Sequence, residues 1–125
     1  MLFKRHLIEK ILSGEKTRTI RRTGKYKVGK IYSVLDRPGG RVWAKVLIVG
    51  KKPKKLGELT TEDVIPDGFR TLADFREEWI NIYGSFSPDE IVWLYDFLVV
   101  EPRPPGPRSW PTSSRATRGP SRTRR

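Results

Sequence analysis

Four cations and two hydroxyls fall within the nine residues Gly14-Glu15-Lys16-Thr17-Arg18-Thr19-Ile20-Arg21-Arg22, with Ile20 the one apolar side chain among them. A segment that only fills a core is not this polar. The β-branched threonines and isoleucine favour a strand, so the pattern describes a strand edge or mouth that presents hydroxyls and cations to an anionic partner. Arg and Lys contact phosphates, and Thr hydroxyls bond phosphate or sugar. Lys16, Thr17, Arg18, Thr19, Arg21 and Arg22 are therefore the candidate RNA- or ligand-binding residues. A second chemistry is open to the same segment. A lysine whose pKa is lowered by burial or by the crowding of Arg18, Arg21 and Arg22 becomes a general base, and Thr19 becomes its nucleophile. On an ideal strand Lys16 and Thr19 point to opposite faces; they converge only if Lys16 still belongs to the turn after Gly14.

Other chemistries find little support. There is no cysteine, which excludes disulfides and thiolate sites. The single histidine, His6, does not make a histidine-built zinc site, and it reads as a surface or partly packed residue. No phosphate loop, dinucleotide fingerprint or Ser-His-Asp set is present, so neither a cofactor nor a metal is expected. The longest apolar run, Ile91 to Val100, is interrupted by Asp96 and is too short to span a bilayer. Met1 to His6 turns charged at once, unlike a signal peptide. The expectation is a cytoplasmic protein without a membrane partner.

The 125 residues suffice for one domain with a modest core. The net charge of +12 is unevenly placed. Residues 1–55 hold 17 Lys and Arg against 3 Asp and Glu, residues 56–101 hold 2 against 11, and the tail adds 7 Arg and no acid. A basic first half points to a polyanion, nucleic acid first. The acidic second half leaves a different reading open, a protein-interaction module that meets a basic partner through Asp74, Glu77 and Glu78.

The elements that must position these residues follow from periodicity. Phe3, Leu7, Ile8, Ile11 and Leu12 recur at helical spacing and predict a helix over 4–13, capped by Gly14. Lys16 to Thr23 reads as a strand, Ile31 to Leu35 as a second and Val42 to Val49 as a third. Arg37-Pro38-Gly39-Gly40-Arg41 turns between the latter two, making a hairpin. Lys51-Lys52-Pro53-Lys54-Lys55 is expected to be a basic loop, because its proline interrupts a sheet. Leu59 to Val64 looks like a capped helical turn. Thr71 caps a helix that packs Leu72, Phe75, Trp79, Ile82 and Tyr83 inward, with Asp74, Glu77 and Glu78 facing away and Gly84 at its end. Its aromatics fit core packing better than a ligand box. Ile91 to Val100 is apolar on both faces, as expected of a central, doubly covered strand. Six of the ten prolines lie in 102–125 among Arg, Ser, Thr and Gly, the composition of a flexible basic tail.

Gly14-Glu15-Lys16-Thr17-Arg18-Thr19-Ile20-Arg21, preceded by an amphipathic run, resembles the signature of the ASCH domain family. Val28-Gly29-Lys30 before a strand, the Leu56–Leu59 stretch entering Thr60-Thr61-Glu62-Asp63, Asp67-Gly68-Phe69, the Trp79–Tyr83–Gly84 helix end and a closing strand ending in Phe97 follow in the family's order, so the resemblance covers about residues 3–100. It implies a PUA-like β-barrel with flanking helices and a cleft at the barrel mouth, an α+β fold over residues 1–101, and binding of RNA or a modified nucleoside. One bacterial branch of the family hydrolyses N4-acetylcytidine with a lysine, a threonine and a glutamate. The resemblance places the first two on Lys16 and Thr19. The glutamate aligns near Gly68, so the nearest acid here is Asp67, one position away and one methylene shorter, with Glu62 the second candidate. The expectations are RNA or modified-nucleoside binding, with amidohydrolysis by Lys16, Thr19 and Asp67 as the alternative.

Overall fold

The first helix, α1 (Arg5–Ser13), forms because Leu7, Ile8 and Ile11 lie on one stripe and all three become buried. Gly14 stops it in the left-handed conformation, φ 87°, where a side chain would be strained. The computed structural model describes residues 1–102; the expected basic tail, Pro102 apart, lies outside them. Four strands follow the helix: β1 (Arg18–Arg21), β2 (Ile31–Val34), β3 (Ala44–Lys55) and β4 (Ile91–Glu101). Between β3 and β4 come a 3-10 turn at Leu56–Glu58, α2 (Thr61–Val64) and α3 (Leu72–Tyr83).

The strands make one antiparallel sheet in the order β1-β4-β3-β2. β3 carries register shifts at Lys45/Val46 and Ile48/Gly50, and such irregularities bend a strand. The sheet accordingly curls into a half-barrel beside its helices, an α+β architecture of the PUA-like kind expected. β4 is central, as its composition requires. Val92 and Leu94 enter one apolar cluster with Ile20, Leu56, Val64, Phe75 and Trp79, whereas Tyr95 and Phe97 enter a second with α1, Val34, Val46 and Ile48. Alternation along the strand thus sends successive side chains into separate cores on its two faces. Its two ends depart from the double cover, with Ile91 47% and Leu98 57% exposed.

Two expectations are corrected. Lys51–Lys55 is not a loop: β3 runs through Pro53, which sits opposite Trp93. β2 ends its pairing with β3 at Leu47, so this part of β3 has β4 on one side only. A proline is tolerated there because its missing N–H falls at a free edge. The second correction concerns α3. Phe75 and Trp79 are buried, but Leu72 and Ile82 are exposed, and Glu78, expected to face solvent, turns inward with its side chain 16% exposed.

Candidate functional site

The segment around Lys16 is held by two backbone carbonyls distant from each other in sequence. Lys16 N–H donates to the Lys10 carbonyl at 3.0 Å, at the end of α1. The N–H groups of Thr17 and Arg18 both reach the Pro66 carbonyl, at 2.8 and 3.1 Å. Only at Arg18 does β1 begin. Lys16 therefore belongs to the turn, which is the condition under which it and Thr19 can share a face, and both line the same cavity.

That cavity, about 320 Å³, opens at the seam between the two apolar clusters, beneath the start of the chain, β1 and α3. Its walls include Phe3, Phe75, Trp79 and Tyr83, and its polar lining is Lys16, Thr19, Arg21, Asp67, Asp36, Lys4 and Glu78. Lys16 is 2% exposed and Asp67 4%. The ammonium is in direct contact with Asp67 Oδ1 and also donates to the Asp67 carbonyl at 2.8 Å. Asp67 is carried by the turn after α2, where Gly68 takes φ +100°. A Cβ at Gly68 would lie 3.2 Å from the Lys10 side chain and 3.6 Å from that of Lys16. Position 68 therefore resists any side chain, and the acid that meets Lys16 comes from position 67. Glu62 is exposed on α2 and does not line the cavity.

Burial dominates the ionisation of this pair. It drives the Lys16 pKa down, with Arg21 and Lys10 acting in the same sense and Asp67 opposing. It drives the Asp67 pKa up, against the pull of Lys16, Arg21 and Arg18. Burial thus pushes both partners toward their neutral forms, while their direct contact opposes it by favouring the charged ones. Charged or neutral, the pair carries no net charge, so the floor of the cavity is balanced either way.

Thr19, 4% exposed, accepts a hydrogen bond from Arg21 Nε at 3.0 Å. Arg21 also donates from Nη2 to the Leu2 carbonyl at 2.8 Å, and its guanidinium stacks 4.5 Å from the Phe3 ring centre. The Thr19 oxygen thus faces a fixed cation, while its own proton remains free to be given away. The other candidates lie elsewhere. Arg18 is committed to Asp96 at 2.7 Å and to the Asp63 carbonyl at 3.1 Å, bracing β1 against β4 and α2. Thr17 is exposed, and Arg22 pairs with Glu90 at 2.5 Å; none of these three lines the cavity.

Several wall residues escaped the sequence reading. Trp79 fits the core by its spacing, but its buried Nε1–H has no hydrogen-bond partner among the described residues. Glu78, next to it in α3, is half-buried; its Oε2 forms an ion pair with Lys4 at 2.9 Å and has no hydrogen-bond partner among the described residues. Buried polar atoms left unpaired in an otherwise apolar wall are rare and cost stability. The available signal was Glu78 sitting within the Phe75–Trp79–Ile82 stripe. Among the described residues no group of three side chains could hold a metal ion, and no helix is long and apolar enough to cross a membrane.

No family model matches the chain, and no curated protein matches it in sequence. Solved structures do. An ASCH domain from Lactobacillus crispatus JV V101 superposes with a TM-score of 0.64 at 19% identity, over 75% of this chain and 70% of that one. A protein of Enterococcus faecalis V583 described by the family model DUF984 gives a TM-score of 0.57 at 21% identity, over 76% and 70%.

Proposed function

We propose, for a chain with the fold of an ASCH domain, that the cavity binds a nucleoside, free or turned out from an RNA strand, with a modified base among its ligands. The observation that carries this reading is the pairing of aromatic walls with a charge-balanced polar floor. Lys4, Lys16 and Arg21 are matched by Asp36, Asp67 and Glu78. A neutral ligand is favoured by a balanced lining, and a planar one by the Phe3, Trp79 and Tyr83 rings on which it can stack. A volume of about 320 Å³ sits at the small end of ligand pockets, suited to one base and its sugar. The Trp79 N–H, which makes no hydrogen bond among the described residues, and the Glu78 carboxylate supply a donor and an acceptor for the edge of a base. Titration of the four common ribonucleosides and N4-acetylcytidine, followed by tryptophan fluorescence, tests this. Saturable binding of at least one is expected, and no binding by any of them overturns the reading.

A second reading, hydrolysis of N4-acetylcytidine, is favoured by the contact between Arg21 and Thr19 together with the depressed Lys16 pKa. A neutral Lys16 amine takes the Thr19 proton, and Thr19 Oγ1 attacks the acetyl carbonyl carbon. The C–N bond to the base then breaks as Lys16 returns the proton to the leaving nitrogen. Water hydrolyses the threonyl acetate, giving acetate and restoring the hydroxyl. Arg21 stabilises the developing charge on Oγ1, and Asp67 holds the amine in place and exchanges its proton. Release of cytidine that disappears in both Lys16→Ala and Thr19→Val is the expected result. Bound but unhydrolysed N4-acetylcytidine would leave nucleoside binding as the function.

A further inference from the structure

Beside the cavity lies a second hollow of about 460 Å³, and the two share Arg21 and Tyr83 as a common wall. Its chemistry is different. The second hollow is lined by Arg21, Arg22 and Lys25 against a single carboxylate, Glu90. The cavity balances its charges; this hollow does not.

Its donors are also incompletely used. Arg22 gives Nε to Glu90, at 2.5 Å, and lies 5.1 Å from the Tyr83 ring centre, which orients the guanidinium; its two terminal nitrogens make no hydrogen bond among the described residues. Lys25 stands 5.3 Å from the Tyr26 ring centre, with no carboxylate partner among the described residues. Thr23 also lines the hollow, and its carbonyl accepts a hydrogen bond from the Tyr95 hydroxyl at 2.7 Å. Three cationic side chains around one concave surface, with Arg22 and Lys25 incompletely engaged, match the charge and the oxygens of a phosphate.

We infer that the two hollows form one composite site, in which the cavity takes the base and the Arg22–Lys25 hollow takes the phosphate, so that the ligand is a ribonucleoside phosphate and not the bare nucleoside. This rests on the nucleoside reading of the cavity and adds the substrate class. The shared chemistry is a phosphate one sugar away from the base, which a free nucleotide and an RNA strand both provide. Arg21, at the partition, touches both parts and couples them.

The test compares each ribonucleoside that binds, and its 5′- and 3′-monophosphates, with a short oligoribonucleotide containing it, on the full chain at two salt concentrations. The monophosphate is expected to bind roughly tenfold or more tightly than the nucleoside, about the worth of one charge-assisted hydrogen bond, with the gain shrinking at high salt. Lys25→Gln should halve or abolish that gain while leaving nucleoside affinity unchanged, and Arg22→Gln/Lys25→Gln should remove it. A further gain with the oligoribonucleotide identifies RNA as the source, and none identifies the free nucleotide. Equal affinity for nucleoside and monophosphate overturns the composite site alone. Failure of every nucleoside and nucleotide to bind overturns it together with the reading of the cavity.

Discussion

Removing either partner of the Lys16–Asp67 pair should tilt stability against pH in opposite directions. Lys16→Met strands a buried carboxyl, and Asp67→Asn strands a buried ammonium. Breaking a buried pair in this way costs about 3–5 kcal/mol near neutral pH. The lone Asp67 has a folded pKa above its unfolded one, since burial raises it and the opposing Lys16 charge is gone. Its folded state therefore binds more protons than the unfolded chain, and stability falls as pH rises above the usual aspartate range. The lone Lys16 has a folded pKa below its unfolded one, for the same reason with the opposite charge. There the unfolded chain binds more protons, and stability rises with pH up to the usual lysine range. Each slope is about 1.4 kcal/mol per pH unit at full strength. Between pH 7 and pH 5 the Lys16→Met protein should recover up to about 2.7 kcal/mol, and between pH 7 and pH 9 the Asp67→Asn protein should recover a similar amount. Lys16→Met/Asp67→Leu removes both charges. It gives up the bond to the Asp67 carbonyl, about 1 kcal/mol, but escapes a desolvation penalty that often makes such replacements neutral or stabilising. Urea denaturation of the three variants and the wild type from pH 5 to pH 9, followed by tryptophan fluorescence, measures all of this. Slopes of the same sign in the single variants, or a double variant as unstable as either, would refute the account. A double variant that is stable yet binds no nucleoside would mean that the pair is kept for the ligand and not for the fold.

Other outcomes follow from individual contacts. Burial alone would raise the Asp63 pKa, but the Lys54 ammonium at 2.6 Å and the Thr60 N–H at 2.9 Å outweigh it and hold the carboxyl below its usual range. Its contribution is present above about pH 4 and is lost as pH falls through the folded pKa, so Asp63→Asn should cost about 1–2 kcal/mol at pH 7 and flatten the acid limb of a stability–pH curve. Trp79→Phe removes an unpaired buried donor along with some packing. Stability of the unliganded protein should therefore change by less than about 1 kcal/mol, while nucleoside affinity drops about tenfold in fluorescence or calorimetric titration. Arg18→Ala should cost about 2 kcal/mol in thermal denaturation, through its lost bonds to Asp96 and Asp63, and leave nucleoside affinity as it was.

Local chemistry was enough for the parts of this protein that local chemistry decides. Helical spacing and Gly14 gave α1, hydroxyl caps gave the starts of α2 and α3, and the run of β-branched and aromatic residues gave β4 as a doubly covered strand. The order of short motifs around Gly14–Arg21 gave the fold. Pro53 was misread because its cost depends on whether a neighbouring strand needs its N–H, and that neighbour is chosen only when β2 stops at Leu47. The candidate site divides in the same way. Residue types named Lys16, Thr19 and Arg21, and the family resemblance pointed to Asp67, but the segment 16–22 could not declare which cations face inward. The tertiary structure separates them. Arg18 is spent on Asp96, 78 residues away, while Lys16 is buried against Asp67, 51 residues away. Trp79 and Glu78 became cavity walls only when α3 was laid beside Phe3. A charge or an aromatic ring has the same signature in sequence whether it braces the fold or meets a ligand; the distinction is made by partners distant along the chain, which folding alone brings within a few ångströms.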